Sequence, residues 1–194
     1  MLLHFQHLPL QRCPDPGISA LCKISKEQEN TALVISSKVL ERKVYDKGYT
    51  GANWEKSWVR QWLNEEFLTE AFSEKERAQI LETEVEARKY TGLISNGENT
   101  RDKLFLLDIE EANRYFPTDE SRHALSTAYA SHNGVTENRW WLRTMGSNVF
   151  DAIYVKEDGV ISMLGRRVNS YGIGVRPAMW IDLRKLPPSF VVTE

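Results

Sequence analysis

The last third of the chain alternates short apolar runs with turn residues, and this pattern limits the fold more than any other feature of the sequence. Four β-leaning runs occupy positions 140–143, 152–155, 160–164 and 175–181. Asp158-Gly159 lies between the second and third runs and predicts a two-residue hairpin turn of type I′. Because hairpins join antiparallel strands, this third of the chain is expected to form an antiparallel sheet.

Shorter β-leaning runs come earlier in the chain. Positions 21–24 and 31–36 are separated by polar residues, and together they predict a hairpin with a loose turn. A compact apolar run at 103–107 has the length and composition of a buried strand.

One helix is predicted from aromatic spacing. Trp54, Trp58 and Trp62 recur every four residues, which indicates an amphipathic helix over about 55–63. Asn64 is expected to end it. Three aromatic rings in this arrangement fit either a buried core face or a platform for sugar rings or a peptide, and helical spacing favours the core.

Two further helices are predicted from their first turns. Ser73 with Glu76, and Asp108 with Glu111, have the spacing of a capping box, in which each side chain accepts from the backbone amide of the other residue. Pro117 is expected to end the second of these helices, because proline cannot continue a helical hydrogen-bond ladder.

The order of these elements predicts an α+β fold in a single domain, with antiparallel strands and two or three short helices in the amino-terminal half. Residues 20–185 are assigned to the domain, 1–19 to an irregular lead-in and 186–194 to a tail. The polar and poorly periodic stretch 118–138 is expected to be a long surface loop.

Charge and composition exclude several classes of protein. The 25 basic and 27 acidic residues give a net charge of −2, so no overall field draws the chain to nucleic acid or to an anionic membrane. No run approaches the roughly 18 apolar residues of a membrane span, and 1–10 lacks the basic start of a signal peptide. We therefore expect no nucleic-acid or membrane partner and a cytoplasmic or unassigned location. Cys13 and Cys22 allow one bridge but no disulfide framework.

Catalytic motifs are missing from the sequence. The four histidines lack the H-E-x-x-H spacing, and the two cysteines form no C-x-x-C pair. The nucleophile elbow, the P-loop and a complete dinucleotide-binding turn are absent too. We therefore predict no metal and no cofactor, and the sequence favours a non-enzymatic protein over an enzyme.

Five motifs occur in a fixed order: Trp54-x-x-Ser57-x-x-Arg60-x-Trp62-Leu63-Asn64, Phe72-Ser73-x-x-Glu76, Asp102-x-x-Phe105-Leu106-Leu107, Trp140-Trp141-Leu142-Arg143 and Gly174-Val175-Arg176-Pro177-Ala178-x-Trp180. Over about 31–183 the chain thereby resembles an uncharacterised bacterial family, a domain of unknown function common in Firmicutes, in gut bacteria and in their phages and mobile elements. The first strand of that family usually carries a tryptophan, which 20–24 lacks.

The carboxyl-terminal half is also similar to the C-type lectin-like fold of the formylglycine-generating-enzyme type. That resemblance implies a tryptophan-led strand, a polar excursion and a closing Gly-x-Arg strand. Those enzymes need a cysteine pair in this half, whereas both cysteines here precede residue 23, so their oxidase activity is expected to be absent. The Glu-Pro-Asn and Gln-Pro-Asp motifs of calcium-dependent lectins are missing as well, so any sugar binding should be independent of calcium.

In lectin-like domains of this kind, polar and aromatic residues on the later strands form the ligand face, and 148–171 is rich in them. Tyrosine, serine, asparagine and arginine combine contact area with adaptable hydrogen bonds. One of Trp140 and Trp141 should be buried, and the other exposed or covered by a loop, since neighbours on a strand point to opposite sides. The predicted ligand-binding residues are Trp141, Asn148, Phe150, Asp151, Tyr154, Arg166, Arg167, Asn169 and Tyr171. The same residues also fit an ordinary solvated hairpin.

Three functional hypotheses follow. The first is a non-enzymatic module that binds a protein or a glycan through this face. The second is an enzyme with a pocket under the 118–138 loop that uses Asp102, His132 and Arg143. The third is a structural domain of a phage or mobile-element particle, which would expose a large self-complementary apolar patch. Arg143 and Arg176 fit either an anion site or a structural role, with Asp102 as a candidate partner.

Overall fold

The computed structural model describes residues 2–5, 20–28, 30–48, 53–135 and 137–185, with only the backbone described in the first two ranges. The strands are β1 (Leu2–Phe5), β2 (Ala20–Gln28), β3 (Thr31–Ile35), β4 (Glu41–Arg42), β5 (Ile80–Leu81), β6 (Thr83–Val85), β7 (Thr100–Asp102), β8 (Trp140–Met145), β9 (Asp151–Val155), β10 (Ile161–Arg167), β11 (Gly174–Val175) and β12 (Ala178–Asp182). The α-helices are α1 (Trp58–Trp62), α2 (Leu68–Ala71), α3 (Glu74–Arg77), α4 (Ile109–Tyr115), α5 (Asp119–Arg122) and α6 (Ala128–His132).

Two five-stranded sheets and one two-stranded sheet organise these elements. One sheet has the order β1-β2-β3-β12-β5, the other has the order β10-β9-β8-β11-β4, and β6 pairs with β7. All pairings are antiparallel except that of β11 with β8. Side chains from both large sheets and from the helices form one continuous core. The domain is therefore α+β with antiparallel sheets and short helices, as the order of the sequence elements predicts.

The dipeptide Arg176-Pro177 carries the chain from one large sheet to the other. β11 and β12 lie on either side of it and belong to different sheets, whereas the sequence predicts one strand over 175–181. Proline has no amide to donate and ends the ladder at this point. Its carbonyl accepts from the Ser36 amide at 3.1 Å, so the crossing is still hydrogen-bonded to the first sheet.

The amino-terminal segment adds strands to the first sheet. β2 pairs with β3, which confirms the predicted hairpin, although β2 continues to Gln28 and shortens the turn. β1 pairs with β2 where an irregular lead-in is predicted. The rest of that lead-in and the 186–194 tail lie outside the described residues.

The tryptophan helix begins three residues later than its spacing predicts and also continues further: Trp54 lies in a separate 3-10 turn, Trp54–Lys56, and α1 starts at Trp58 after the Ser57 cap. α1 passes into a π-helical segment, Leu63–Phe67, and then into α2. Asn64 lies inside this helix and does not end it. Its Oδ1 accepts from the amides of Lys103 and Leu104 at 2.9 and 3.0 Å, and its Nδ2 donates to the Leu104 carbonyl at 2.8 Å. A π turn of this kind commonly marks such a special local contact.

The apolar run 103–107 is buried, but it is not a strand. Apart from one bridge between Phe105 and Ala178, its backbone groups are bound by side chains and by isolated amides. Asn64 takes the first two amides, while the Leu106 carbonyl accepts from the Arg143 guanidinium at 2.8 Å. A buried backbone must be hydrogen-bonded, and here long-range partners replace the ladder that the run predicts.

Both predicted capping boxes are present. At the start of α3 the Ser73 and Glu76 side chains accept reciprocally, and at the start of α4 Asp108 and Glu111 do the same. α4 ends before Pro117, as the proline predicts. These contacts depend only on residues three positions apart, so the local pattern suffices to predict them.

The turn between β9 and β10 is not of type I′. Lys156 and Val160 face each other, and the amide of Gly159 donates to the Lys156 carbonyl at 3.0 Å. Gly159 has a φ of 85°, while among the described residues other than glycine only Asn138 has a positive φ. Type I′ needs positive φ at both central residues, so this is a three-residue loop that ends on glycine.

Residues 118–138 are more ordered than a surface loop. They contain α5 and α6, and Arg122 ties them to the hairpin: its guanidinium donates to the carbonyls of Gly159 at 2.9 Å and Phe116 at 2.7 Å. A Cβ on Gly159 would lie 1.8 Å from the carbonyl oxygen of Asp119, so the hairpin turn packs directly on the start of α5. The sequence pattern misses the contact between the hairpin and α5 because the two segments are distant in the chain.

Candidate functional site

The predicted ligand residues do not form one surface. Trp141 and Tyr154 are buried. The Nε1 of Trp141 donates to the Lys43 carbonyl at 2.9 Å, so its ring is covered by the segment that follows β4. The Tyr154 ring meets it edge-on, with 6.1 Å between centroids. Both tryptophans of the pair are fully buried, and Trp141 has no exposed face with which to contact a ligand.

Four of the predicted residues instead bind one another at the turn before β9. The Asn148 amide group donates to the Asp151 carboxylate at 2.6 Å and accepts from the Phe150 amide at 2.9 Å. The Arg167 guanidinium lies 5.3 Å from the centre of the Phe150 ring and 3.8 Å from Asp151. These polar groups are largely occupied within the turn. Arg166 is exposed beside them.

Asn169 and Tyr171, the last two predicted residues, line an open groove of about 430 Å³. That volume is in the range of small-ligand sites. The other lining residues that matter here come from the end of β4, from the segment that follows it and from the start of α1, and they are Arg42, Lys43, Lys47 and Trp58. We call this the 42–171 groove.

The segment 42–48 forms one wall of the groove and is hydrogen-bonded to the backbone between β10 and β11. The Lys43 amide donates to the Ile173 carbonyl at 3.3 Å, and the Asp46 amide donates to the Val168 carbonyl at 3.0 Å. Tyr45 is buried between them, and its hydroxyl donates to the Arg143 carbonyl at 2.8 Å. Burial raises the pKa of this phenol, against the opposing charge of Arg143, so it remains a neutral donor.

Asp46 joins this wall to the helix that carries Trp58. One carboxylate oxygen accepts from the Trp58 amide at 3.0 Å and the other accepts from the Gly48 amide at 2.9 Å. Ser57 caps the same helix start by accepting from the Arg60 amide at 3.3 Å. Anionic groups are favourable at a helix amino terminus, so this contact also stabilises the first turn of α1.

Cations lie over the aromatic rings of the groove. The Lys47 ammonium is 3.8 Å from the centre of the Trp58 ring, and the Arg42 guanidinium is 5.2 Å from that of Tyr171. Lys43 lies 4.2 Å from the ring centre of Trp62. Distances below about 6 Å are those of favourable cation–π contacts. The rings thus hold positive charge at fixed places along the groove.

Only part of this groove is predictable from the sequence. Trp54 and Trp62 are buried, as the core interpretation of the tryptophan helix predicts, but Trp58 is only half-buried and reaches the groove. The cations before it carry no motif. One weak signal existed: Arg42, Lys43 and Lys47 are a local excess of positive charge beside an aromatic helix.

The three residues of the enzyme hypothesis are not brought together. Asp102 accepts from Arg60 at 2.8 Å and from the indole of Trp54 at 3.2 Å. His132 is exposed on α6, and Arg143 is buried in a different ion-pair network. Within the described residues, no hydrogen bond or ion pair joins any two of the three.

Arg143 belongs to a buried charge network on α4. Its guanidinium donates to Asp108 at 2.8 Å and also binds Glu111, while Arg88 reaches the same Asp108 oxygen at 2.8 Å. Burial acts to lower the pKa of Arg143, but the attraction of Glu111 and Asp108 outweighs it and raises the pKa overall. Tyr90, whose hydroxyl accepts from the Glu110 amide, has its pKa raised to about 12 by burial and by Asp108. The positive charges of Arg88 and Arg143 are therefore paired with carboxylates inside the network.

Arg176 is also structural. Its Nε donates to the Ser36 carbonyl at 2.8 Å, and its guanidinium lies 4.8 Å from the Trp140 ring centre and 4.9 Å from that of Phe116. Asp102 is therefore the partner of neither Arg143 nor Arg176.

Exposed apolar side chains are concentrated on the β9–β10 side of the molecule, where they include Val149, Phe150, Met163 and Leu164. The exposed Arg166 and Arg167 interrupt them. Elsewhere in the described part of the chain, no group of three histidine, cysteine, aspartate or glutamate side chains could hold a metal ion. Among the helices described, none has the length and apolar character needed to cross a membrane.

Comparison with known proteins identifies a family but no characterised relative. No curated protein and no solved structure matches the chain. A family model, the domain of unknown function DUF6273, matches residues 29–183. This range contains the second large sheet, α1 to α6 and the whole 42–171 groove. The chain therefore belongs to the DUF6273 family.

Proposed function

We propose that this domain is a non-enzymatic ligand-binding module and that its binding site is the 42–171 groove. The observation that carries the proposal is the pairing of cations with aromatic rings in one open concave surface. Tyr171 is 73% exposed although it is a large aromatic residue, and Arg42 lies over its ring. Exposed aromatic side chains next to arginine are typical of binding sites.

The architecture supports binding more than catalysis. The groove is built on backbone hydrogen bonds and on buried Tyr45, so its side chains are presented from a rigid support. Its lining contains no acid and base pair in contact, and a catalytic site needs such groups within hydrogen-bond reach.

The lectin-like resemblance of the carboxyl-terminal half is part of this proposal. β8, β9 and β10 form the antiparallel strands that such a domain needs, and β11 lies beside the tryptophan-led strand β8. In such a scaffold the ligand would be a protein surface or a glycan. The groove lies next to these strands, at the turn that precedes β11.

A binding screen with paired variants tests the proposal. The purified protein is screened against a glycan array and a panel of bacterial and host surface proteins. Tyr171→Ala should weaken a detected interaction about fivefold, because a stacking ring contributes roughly 1 kcal/mol. Lys47→Ala should weaken the interaction by more than Tyr171→Ala does.

The matched controls are Leu164→Ala and Arg166→Ala, which remove an exposed apolar and an exposed cationic side chain outside the groove. Both should leave binding unchanged. If the two control variants lost affinity while Tyr171→Ala kept it, the ligand would bind the β10 side of the molecule and the proposed site would be wrong.

A further inference from the structure

We propose that the ligand of the 42–171 groove is an acidic oligosaccharide, one whose sugar rings carry carboxylate or sulfate groups. This inference rests on the proposed function and names its substrate class. It follows from three properties of the groove: two cations with no carboxylate in contact among the described residues, the open face of Tyr171, and the volume of about 430 Å³ that the site offers.

Two of the three groove cations are not neutralised within the described residues. Lys43 forms an ion pair with Glu41 at 2.8 Å, so its charge is already matched. Arg42 and Lys47 are exposed and contact aromatic rings, with no carboxylate in contact in the described part of the chain. The nearby Asp46 carboxylate is buried and bound to two backbone amides. The groove therefore presents two positive charges that an anionic ligand can use.

The aromatic rings have separate roles. Trp58 has Trp62 stacked near one side, with 6.4 Å between centroids, and the Lys47 ammonium over its ring. It is a support for Lys47 and has little free face. Tyr171 has Arg42 on one side and is otherwise exposed, so its other face can pack on the apolar side of a pyranose ring. Asn169 adds an amide that can donate to and accept from sugar hydroxyls.

These features favour an acidic sugar over other anions. A nucleotide base would have to stack on the same open face of Tyr171, so adenosine triphosphate is a competing ligand in the test below. A sugar acid needs only one open ring face and one or two cations at the edge, which is what Tyr171, Arg42 and Lys47 supply.

Calorimetric titration of the full chain with matched oligosaccharides tests the inference. The acidic probes are an oligogalacturonate, an oligoguluronate and a heparin-type oligosaccharide, each of about six sugars. The neutral probe is the methyl ester of the oligogalacturonate, which keeps the rings and removes the charge. At least one acidic probe should bind at low ionic strength, and the neutral methyl ester should bind at least tenfold more weakly than that probe. A carboxylated or a sulfated ligand is distinguished by which acid binds.

The variants separate the contributions. Arg42→Gln and Lys47→Gln should each weaken acid binding about tenfold, as expected for loss of a charge-assisted contact. Lys43→Gln should have a smaller effect, because Glu41 already neutralises Lys43. Arg166→Gln removes the same charge outside the groove and should change nothing. Raising the ionic strength to about 1 M should abolish the preference for the acid, because the screening length falls to about 3 Å.

Each alternative outcome has a distinct meaning. If acid and ester bind equally and Tyr171→Ala weakens both, the acidic-sugar inference fails while the binding module stands. If no oligosaccharide binds but adenosine triphosphate or inorganic phosphate does, and Lys47→Gln removes that binding, the groove takes a small anion and the inference is overturned. If no sugar, nucleotide or surface protein binds, both the inference and the proposed function fail.

Discussion

Arg143 and Arg176 are both nearly inaccessible, with 1% and 3% of their surface exposed, and each is stabilised differently. Arg143 is matched by the carboxylates of Asp108 and Glu111. Arg176 instead lies between two aromatic rings and donates to a backbone carbonyl. A buried charge costs several kcal/mol unless it is paired, so removal of one partner is felt by the other.

Arg143→Met should lower the free energy of unfolding by about 3 kcal/mol, because it leaves the buried Asp108 with Arg88 as its remaining cation. Urea titration followed by circular dichroism measures this. Arg143→Lys keeps the charge but loses the planar fork, so its loss should be smaller. Arg166→Met, at an exposed position, should change stability by less than about 0.5 kcal/mol. An unchanged midpoint for Arg143→Met would show that the network does not stabilise the fold.

Asp182 provides a pH dependence. The Arg184 side chain hydrogen-bonds its carboxylate at 2.8 and 2.9 Å, which lowers the pKa of Asp182 to about 2. The value in an unfolded chain is about 3.9, so the folded state holds the ionised form more strongly. This contribution is fully present above about pH 5 and is lost as the pH falls towards 2.

Asp182→Asn should therefore reduce stability at pH 6, and the difference from the wild type should shrink between about pH 4 and pH 2. Urea midpoints of both proteins across this range measure it. A difference that stayed constant down to pH 2 would mean that the substitution removes something other than the carboxylate charge. Glu66→Gln, an exposed carboxylate elsewhere, serves as the control.

At the scale of elements, local contacts were predictable and long-range ones were not. The capping boxes of α3 and α4 join residues three apart, and the sequence pattern finds both. The run 103–107 has the apolar composition of a strand. Its first two amides are nevertheless bound by Asn64, which lies 39 and 40 residues earlier. No local pattern contains that partner.

Asn64→Ala tests how much this contact contributes. It leaves two amides of the buried run without an acceptor, and we expect a loss of about 2 kcal/mol in the free energy of unfolding. Asn64→Asp retains the acceptor and should lose less at neutral pH. Gln61→Ala changes an exposed position on the same helix and is the matched control. Equal melting temperatures for Asn64→Ala and Gln61→Ala would contradict the assigned role.

At the scale of the whole molecule, the two large sheets are joined by consecutive residues of one segment. β11 and β12 pair into different sheets, and Arg176 between them contacts the Trp140 ring of the second sheet and the Ser36 carbonyl beside the first. β11 cannot leave the second sheet, and β12 cannot leave the first, without disturbing the other sheet. The single continuous core has the same effect.

The domain should therefore unfold in one cooperative transition. Urea curves followed by far-ultraviolet circular dichroism and by tryptophan fluorescence should have the same midpoint, because coincident transitions by different probes are the mark of a single cooperative transition. Two separate midpoints would show that the sheets unfold independently.

The α+β class and the later strands follow from the sequence, because alternation and turn residues are local signals. The groove follows only in part. Asn169 and Tyr171 stand out by residue type, whereas Arg42, Lys47 and Trp58 join them through backbone contacts between distant segments. Trp141 was predicted to contact a ligand, and that prediction is wrong. Its neighbour Trp140 is buried, and Trp141 is buried as well, because the segment after β4 covers its ring.

The close packing of Gly159 on Asp119 has a practical meaning for anyone who labels this domain. A hairpin tip is the usual place for an epitope tag or a spin label, but a side chain at Gly159 would clash with the backbone of Asp119 and push α5 away from the sheet. Leu164 offers a better attachment point. It is 85% exposed on the edge strand β10 and does not line the groove, so a reporter there would leave the groove accessible.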